Sequence, residues 1–425
     1  MSEIPVRMPI GDGVHFSHLK MGRFKVNYLA ANLVLPLTRE TITETVLVAM
    51  MLEKSTKDYP TYQLFSKKLG RMYGASAGST VQKIGDRLIV TLNISALDDS
   101  FALAGEALLD QSAEVLCSML LNPMVEGGAF DATTLALQRL ALQDAIEAEI
   151  NEKRRYAIGK TVQLMLAGEP GGLSRLGYLE DLETLTPERA AKAWERMLRT
   201  AQIEIFQVGM GEKDAAVRRF ERAFAGIQRQ PLPPAETVIR RRGGELRRPV
   251  EHFEVAQSKL CLGLRTDIRP EEPAVNAMRM LNAVLGGPPT SKLFQKVREE
   301  MGLCYYSASQ YNRTKGILLI DCGVAHEDIA AAEKAILQQV DDLRAGAFTD
   351  EEMEYARLSL QNDFHSLGES PYSLAGYYLG QALQGTARTP EEECAAISAV
   401  GREDIAAAAA RLELDTIYLL TAKEA

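Results

Sequence analysis

Two kinds of apolar pattern alternate along the chain. Stretches such as RLIVTLN (87–93) and GILLIDC (316–322) set apolar residues against polar ones at the short period of half-buried β-strands. The alanine-rich segments that follow them repeat their apolar positions at helical spacing. One stretch fits neither pattern. Val46–Leu52, VLVAMML, is seven apolar residues in a row, followed by the charged run EKSTKDYP. It reads as a buried helix opening a domain, and on residue chemistry alone it is core.

The order of elements occurs twice. KKLGRMYGASAGSTVQKIGDRLIVTLNISALDDSFALAGEALL passes from a helix end through a glycine turn into two strands joined at Gly85-Asp86, then into a helix. QKVREEMGLCYYSASQYNRTKGILLIDCGVAHEDIAAAEKAIL keeps that order, with Thr314-Lys315-Gly316 at the turn. Each half also closes alike, on LTPERAAKAWERMLRTAQIEIFQVG and AVGREDIAAAAARLELDTIYLLTA, a helix followed by a strand. Thr186 before Pro187 and Glu188 is a capping residue with proline at the first helical position. An internal duplication at a spacing of roughly 215 to 230 residues follows. The expected fold is α+β: two tandem homologous domains, each a mostly antiparallel sheet with helices packed on one side, at 1–228 and 252–425. Between them, 229–251 combines prolines, a double glycine and arginines, the composition of a linker. Its Arg240, Arg241, Arg242, Arg247 and Arg248 read as a solvated run rather than an anion site.

A chain of 425 residues needs more than one core, and 46% hydrophobic with 25% charged residues is globular composition. A net charge of −9 argues against a nucleic-acid binder. The first residues carry no apolar signal segment, and no run is long enough to span a membrane, so a cytoplasmic protein is expected. Five scattered cysteines without a CxxC pair indicate neither a disulfide framework nor a zinc knuckle. Cys304 reads as a small buried hydrophobe rather than a nucleophile. His15 and His18 lie on a segment that reads as a strand, where i and i+3 face opposite sides, and are expected at the surface. His252, His326 and His365 complete no metal set. GEPGG and LGGPP lack the Lys-Ser/Thr of a phosphate loop.

Several of these segments resemble the pitrilysin/insulinase family of zinc peptidases, the group that includes mitochondrial processing peptidase. The resemblance runs through RFKVNYLAANLVLPL, LGRMYGASAGSTV and GGPPTSKLFQKVREEMGLCYYS, and so spans nearly the whole chain. In the last, Ser291, Leu293, Phe294, Arg298, Glu299, Gly302, Leu303 and Tyr305 stand in the register of the family's second domain. STKDYPTYQLF, RMYGA and NEKRRYA look most like the family's zinc-less bacterial members. Met51, Leu52 and Thr56 match the residues that follow the family's H-x-x-E-H motif, which places its two histidines on Val46 and Met50 and its glutamate on Ala49. Zinc requires N, O or thiolate donors, and its water a carboxylate base, so the resemblance implies a lost zinc site and no metal cofactor. Asp144, Glu147 and Glu149 give no clear match to the third ligand and read as a solvated helix face. The family's N-A-x-T substrate strand becomes Ala77-Gly78-Ser79-Thr80, without the asparagine.

What the resemblance leaves in register is Arg298 and Tyr305, which it implies hold the substrate carbonyl and developing oxyanion over a zinc site. It implies two domains facing each other as a clamshell, and a chain inactive alone that lends these two residues to a zinc-bearing paralogous subunit acting on unstructured peptide. A homodimer is open in that partner's absence. The alternative is a non-enzymatic peptide-binding or assembly protein of the same fold. An independent enzyme would need a nucleophile and base that the sequence does not offer. Neither nucleic acid nor membrane is an expected partner.

Overall fold

A computed structural model describes residues 4–241 and 244–423. In chain order the strands are β1 Val6–Gly11, β2 Val14–Lys20, β3 Val26–Pro36, β4 Ser76–Ile84, β5 Arg87–Leu97, β6 Val125–Glu126, β7 Ala129–Phe130, β8 Gln202–Gly209, β9 Val250–His252, β10 Ser258–Arg265, β11 Cys304–Asn312, β12 Ile317–Val324 and β13 Glu413–Thr421. The helices are α1 Ile42–Leu52, α2 Tyr62–Arg71, α3 Leu108–Leu121, α4 Ala132–Ala148, α5 Lys153–Met165, α6 Leu179–Leu182, α7 Pro187–Thr200, α8 Asp214–Phe224, α9 Ala274–Gly286, α10 Ile329–Arg344, α11 Asp350–Leu367, α12 Pro371–Leu383, α13 Pro390–Ser398 and α14 Arg402–Ala410. A π-helical segment, Leu293–Glu300, stands before β11. No helix among the described residues is long and apolar enough to cross a membrane.

The chain packs as two units that are not its two contiguous halves. The first takes in the residues up to Glu147, Leu173–Glu236 and Leu367–Ala387; the second takes in Ala148–Gly172, Thr237–Ser366 and the chain from Arg388 onward. Each unit therefore contains one helix contributed by the opposite half of the sequence: α12 in the first, α5 in the second. A division at 228 and 252 follows the sequence repeat, whereas packing assigns these two helices the other way.

The first unit holds a six-stranded sheet in the order β1-β2-β8-β3-β5-β4, and the second a five-stranded sheet in the order β11-β12-β10-β13-β9. Read from the opposite edge, the second repeats β2-β8-β3-β5-β4 strand for strand. The single parallel pairing also recurs, β2 with β8 and β9 with β13. The other neighbours are antiparallel, and β3 and β5 keep register from Val26↔Leu97 to Pro36↔Arg87. The duplication is thus present in topology as well as in sequence.

Strand β3, VNYLAANLVLP, is buried along nearly its whole length because both of its faces are covered. Leu29, Ala31, Leu33 and Leu35 join the main core with α1, α3 and α7. Tyr28, Ala30 and Val34 join a second core completed by Leu374, Ala375, Tyr378 and Leu379 of α12. The second sheet is covered similarly, by α9, α10 and α14 on one face and by α5, through Ala157 against Cys261, Tyr418 and Leu420, on the other. The sequence expectation of helices on one side holds for most helices, and one helix per unit covers the remaining face.

The helix ends follow local rules. Thr186 Oγ1 accepts from the Arg189 N–H, with Pro187 in the first turn. At the start of α13, Thr389 and Glu392 form a reciprocal capping box. The turn after α5 is held differently. Glu169 accepts from Arg265 Nη1 at 3.1 Å and from Lys315 Nζ at 2.9 Å, while Arg265 Nε donates to Asp415 at 3.0 Å. All four side chains are at most 6% exposed. Two positive and two negative groups fix α5 in its unit, where a single unpaired charge would be costly.

Among the described residues of 229–251, only β9 is regular, starting at Val250. The arginines there do not form an open cluster. Arg241 pairs with Asp267 at 2.9 Å, and Arg248 with Glu333 at 2.8 Å. Arg247 donates to the Leu164 carbonyl, and the Arg240 carbonyl accepts from Arg265. Arg242 lies outside the described residues.

Candidate functional site

Helix α1 carries the positions where the sequence predicts a lost metal site. Ten of its eleven residues are buried, because one side packs on the sheet and the other on α7. Val46 is 2% exposed and Ala49 fully buried, both inside the main core, while Met50 lies half-buried at its margin. Glu44 at the first turn is held by Arg189 Nε at 2.9 Å and Arg196 Nη2 at 2.7 Å, both from α7. These positions offer zinc no oxygen or nitrogen donor, and a thioether is a poor ligand for it. The residues do not fit the metal. Asp144 and Glu147 lie exposed on α4, and Gln143 donates to Glu147 at 2.9 Å. Glu149 stands in a short 3₁₀ turn beyond α4. Among the described residues, no group of three or more His, Cys, Asp or Glu side chains could hold a metal ion.

Strand β4, bearing Ala77, Gly78 and Thr80, is an edge strand of the first sheet, paired only with β5. Its outer edge is not entirely free. The Glu53 carboxylate, just past α1, accepts from the Ser79 N–H at 2.7 Å and from Ser79 Oγ at 2.9 Å, with Lys54 Nζ 2.7 Å from its other oxygen. An added strand would meet a carboxylate where it needs a backbone donor. Sequence reasoning did not see this contact, since Glu53 and Ser79 are far apart in the chain.

The second unit is built differently at the segment that carries Arg298 and Tyr305. Arg298 sits on the π-helical segment 293–300, and Tyr305 is the extra residue of a β-bulge, where the β11–β12 register shifts between Cys304 and Tyr306. Between them the chain turns at Gly302, whose φ of +66° disfavours any other residue. Met301 N–H to Lys296 O at 3.0 Å and Leu303 N–H to Val297 O at 3.1 Å tie that turn together. Widened helical turns and bulges redirect side chains without breaking the surrounding fold, and both concentrate at functional sites.

Both side chains point to solvent. Tyr305 is 59% exposed, and its hydroxyl makes no hydrogen bond among the described residues. Arg298 lies over the Phe294 ring at 4.3 Å and approaches Glu299 only to 3.5 Å. A stacked guanidinium whose one carboxylate contact is loose, and a phenol with no partner among the described residues, are donors available to an incoming carbonyl or oxyanion. No hydrogen bond joins the two to each other.

The histidines take structural positions. His18 is buried, not at the surface as its strand pattern suggests, and bonds the Gly211 carbonyl at 3.0 Å. Burial holds its imidazole below the ordinary range, opposed by that hydrogen bond. His326 Nδ1 lies 2.7 Å from Ser258 Oγ, but Ser258 is fully buried and cannot meet a substrate. His252 bonds the Ala422 carbonyl, and His365 lies 4.0 Å from Cys394 Sγ, whose thiol is raised by burial.

Residues 184–360 match the family model described as "Peptidase M16 inactive domain". The chain is 25% identical over 406 residues to the "Probable inactive metalloprotease YmfF" of Bacillus subtilis, covering 96% of this chain and 95% of that one. It is also 25% identical over 221 residues to an uncharacterized zinc protease of Streptomyces coelicolor, covering 51% of this chain and 46% of the relative. Among solved structures, a conserved protein from Enterococcus faecalis superposes with a TM-score of 0.92 at 25% identity, over 99% of both chains. A protease from Helicobacter pylori superposes at 0.83 with 15% identity, over 99% of this chain and 100% of that one, and shares the fold.

Proposed function

We propose that the chain is a member of the M16 family of pitrilysin/insulinase-type peptidases, and within it a peptidase-like subunit without catalysis of its own, which lends Arg298 and Tyr305 to a zinc-bearing partner chain. The observation that carries this reading is the contrast within the chain. The metal positions of α1 are filled by apolar core, while Arg298 and Tyr305 are held at the surface by a π-helix and a bulge with their donors available. A protein serving only as a scaffold gains nothing from that exposure. In the assembly, the partner supplies metal and base, and this chain supplies two donors for a peptide carbonyl as it takes on negative charge.

Contact between Glu53 and Ser79 favours a second, narrower reading for the first unit. With one edge donor of β4 already satisfied, peptide does not extend along that strand as it would along an open edge. An assembly role without peptide remains the alternative for the whole chain.

The test is to purify the chain with the H-x-x-E-H-bearing relative from the same genome and follow cleavage of an unstructured peptide by each alone and by the mixture. Activity that requires both chains, with one metal per pair, is the expected result. A mixture no more active than the zinc-bearing chain alone overturns the subunit reading and leaves the assembly role.

A further inference from the structure

Cys304 and Cys322 occupy adjacent antiparallel strands. Cys304 opens β11 opposite Val324, and Cys322 lies two residues before Val324 on β12, so the two are diagonal neighbours facing the same core. Cys322 is fully buried, whereas Cys304 is 8% exposed at the end of an edge strand, covered by a neighbouring strand on one side only. Interaction with the neighbouring Cys322 thiol is the largest influence holding the Cys304 thiol below the ordinary range; burial opposes it, and the positive charge of Arg298 adds to the lowering. The same interaction and its burial push the Cys322 thiol up. Neither the fold nor the proposed function uses this pairing.

We propose that Cys304 is an oxidation site for hydroperoxides and that Cys322 is its resolving partner, the pair closing to a reversible disulfide beside Tyr305. The Cys304 thiolate attacks the outer peroxide oxygen; the O–O bond breaks, and the departing alkoxide or hydroxide takes a proton to leave as alcohol or water. The Cys322 sulfur then attacks Sγ of the sulfenic acid; the S–O bond breaks, and hydroxide leaves with the Cys322 proton as a second water. Two electrons pass from the thiol pair to one peroxide. Cysteines 117, 261 and 394 have no such pairing, and burial is the first cause raising each of their thiols.

Closure has a geometric consequence. Diagonal Cα atoms of a regular antiparallel pair lie about 7–8 Å apart, at or beyond the roughly 7 Å a disulfide spans without backbone movement. Forming the bond draws the start of β11 toward β12 and shifts the bulged Tyr305. Control over the donor pair through this shift rests on the subunit reading above; the thiol chemistry does not.

The experiment treats the full chain with hydrogen peroxide and maps its peptides without reduction. Expected are a mass loss of two hydrogen atoms, a peptide joining Cys304 to Cys322, and reversal by dithiothreitol. In Cys322→Ser, which keeps a hydroxyl donor beside Cys304 but removes the resolving thiol, a dimedone adduct on Cys304 is expected instead. Five thiols still free after treatment, or a link between other cysteines, overturns the proposal, as does a Cys322→Ser chain that folds but takes no adduct. The peptide map reads the thiol pair without a partner chain, so failure of the subunit reading leaves this result standing. If the mixture does cleave peptide, oxidation should lower its turnover reversibly; a formed disulfide with unchanged turnover removes the link to Tyr305 and Arg298.

Discussion

The two units repeat one topology but differ in which side chains they bury and which they leave accessible. In the first, helix α1 is buried along its length between the sheet and α7, and a glutamate beyond it occupies the neighbouring sheet edge. In the second, the segment leading into the corresponding edge strand is irregular twice, at a π-helical turn and at a bulge, and displays a tyrosine to solvent near a half-buried arginine. Duplicated folds keep strand order because the core demands it, while chemistry survives only where a side chain is spared from packing.

The units also differ in how each holds the helix that comes from the other half of the sequence. Helix α12 is held by apolar contacts and by Tyr372 standing edge-on to Tyr28 with ring centroids 5.8 Å apart. Helix α5 is held by charge: Arg154 forks onto the buried Asp321, and the turn after the helix closes on Glu169 with Arg265 and Lys315. The largest effect should come from that network. Glu169→Ala takes one of two carboxylates from a buried network with two cations, leaving Arg265 to Asp415 alone, and should cost about 3–5 kcal/mol, read as a fall in the urea midpoint; a shift no larger than that of a surface mutant would mean the network is not what fixes α5.

Next in size is an attempt to reverse the contrast. Ala49→Glu puts a carboxylate where the family keeps its base, but here the site is fully buried and already filled. Overpacking and an unpaired buried charge should together destabilise the chain by about 3 kcal/mol. A variant as stable as the parent would show that the site had kept room for chemistry. Glu44→Ala removes the carboxylate that joins α1 to two half-exposed arginines of α7, so a smaller loss of about 2 kcal/mol is expected, between the surface and buried limits. Thermal melting at matched pH distinguishes it from a neutral surface change.

The smallest expected stability change is at the residue with the largest expected functional one. Arg298→Ala touches only a ring face and a loose carboxylate contact, and should stay within about 0.5 kcal/mol of the parent. A larger loss in the same denaturation series would assign Arg298 to packing.

Much of this was legible in the sequence, for identifiable reasons. Strand pairs joined at Gly85-Asp86 and at Thr314-Lys315-Gly316 follow from alternation and turn chemistry, and both lie where the pattern put them. The cap at Thr186 needs only neighbours within three residues. Long-range pairings left no local trace: Glu53 with Ser79, Glu169 with Arg265 and Lys315, and the membership of α5 and α12. Glu169 lies in GEPGG, a segment read only for what it could not bind. Helical periodicity cannot show a π-helix, and alternation in CYYSASQYN does not reveal that Tyr305 is a bulge. Register against the family picked out Arg298 and Tyr305; only backbone geometry explains how both remain exposed.

The most direct test of the central claim is peptide turnover by the mixed assembly, with Arg298→Ala compared against the parent chain at equal zinc content and equal stability. Removal of one preorganised donor to a developing oxyanion predicts a fall in kcat of roughly 10²-fold or more; unchanged turnover in a folded, assembled variant would contradict the role assigned to this unit.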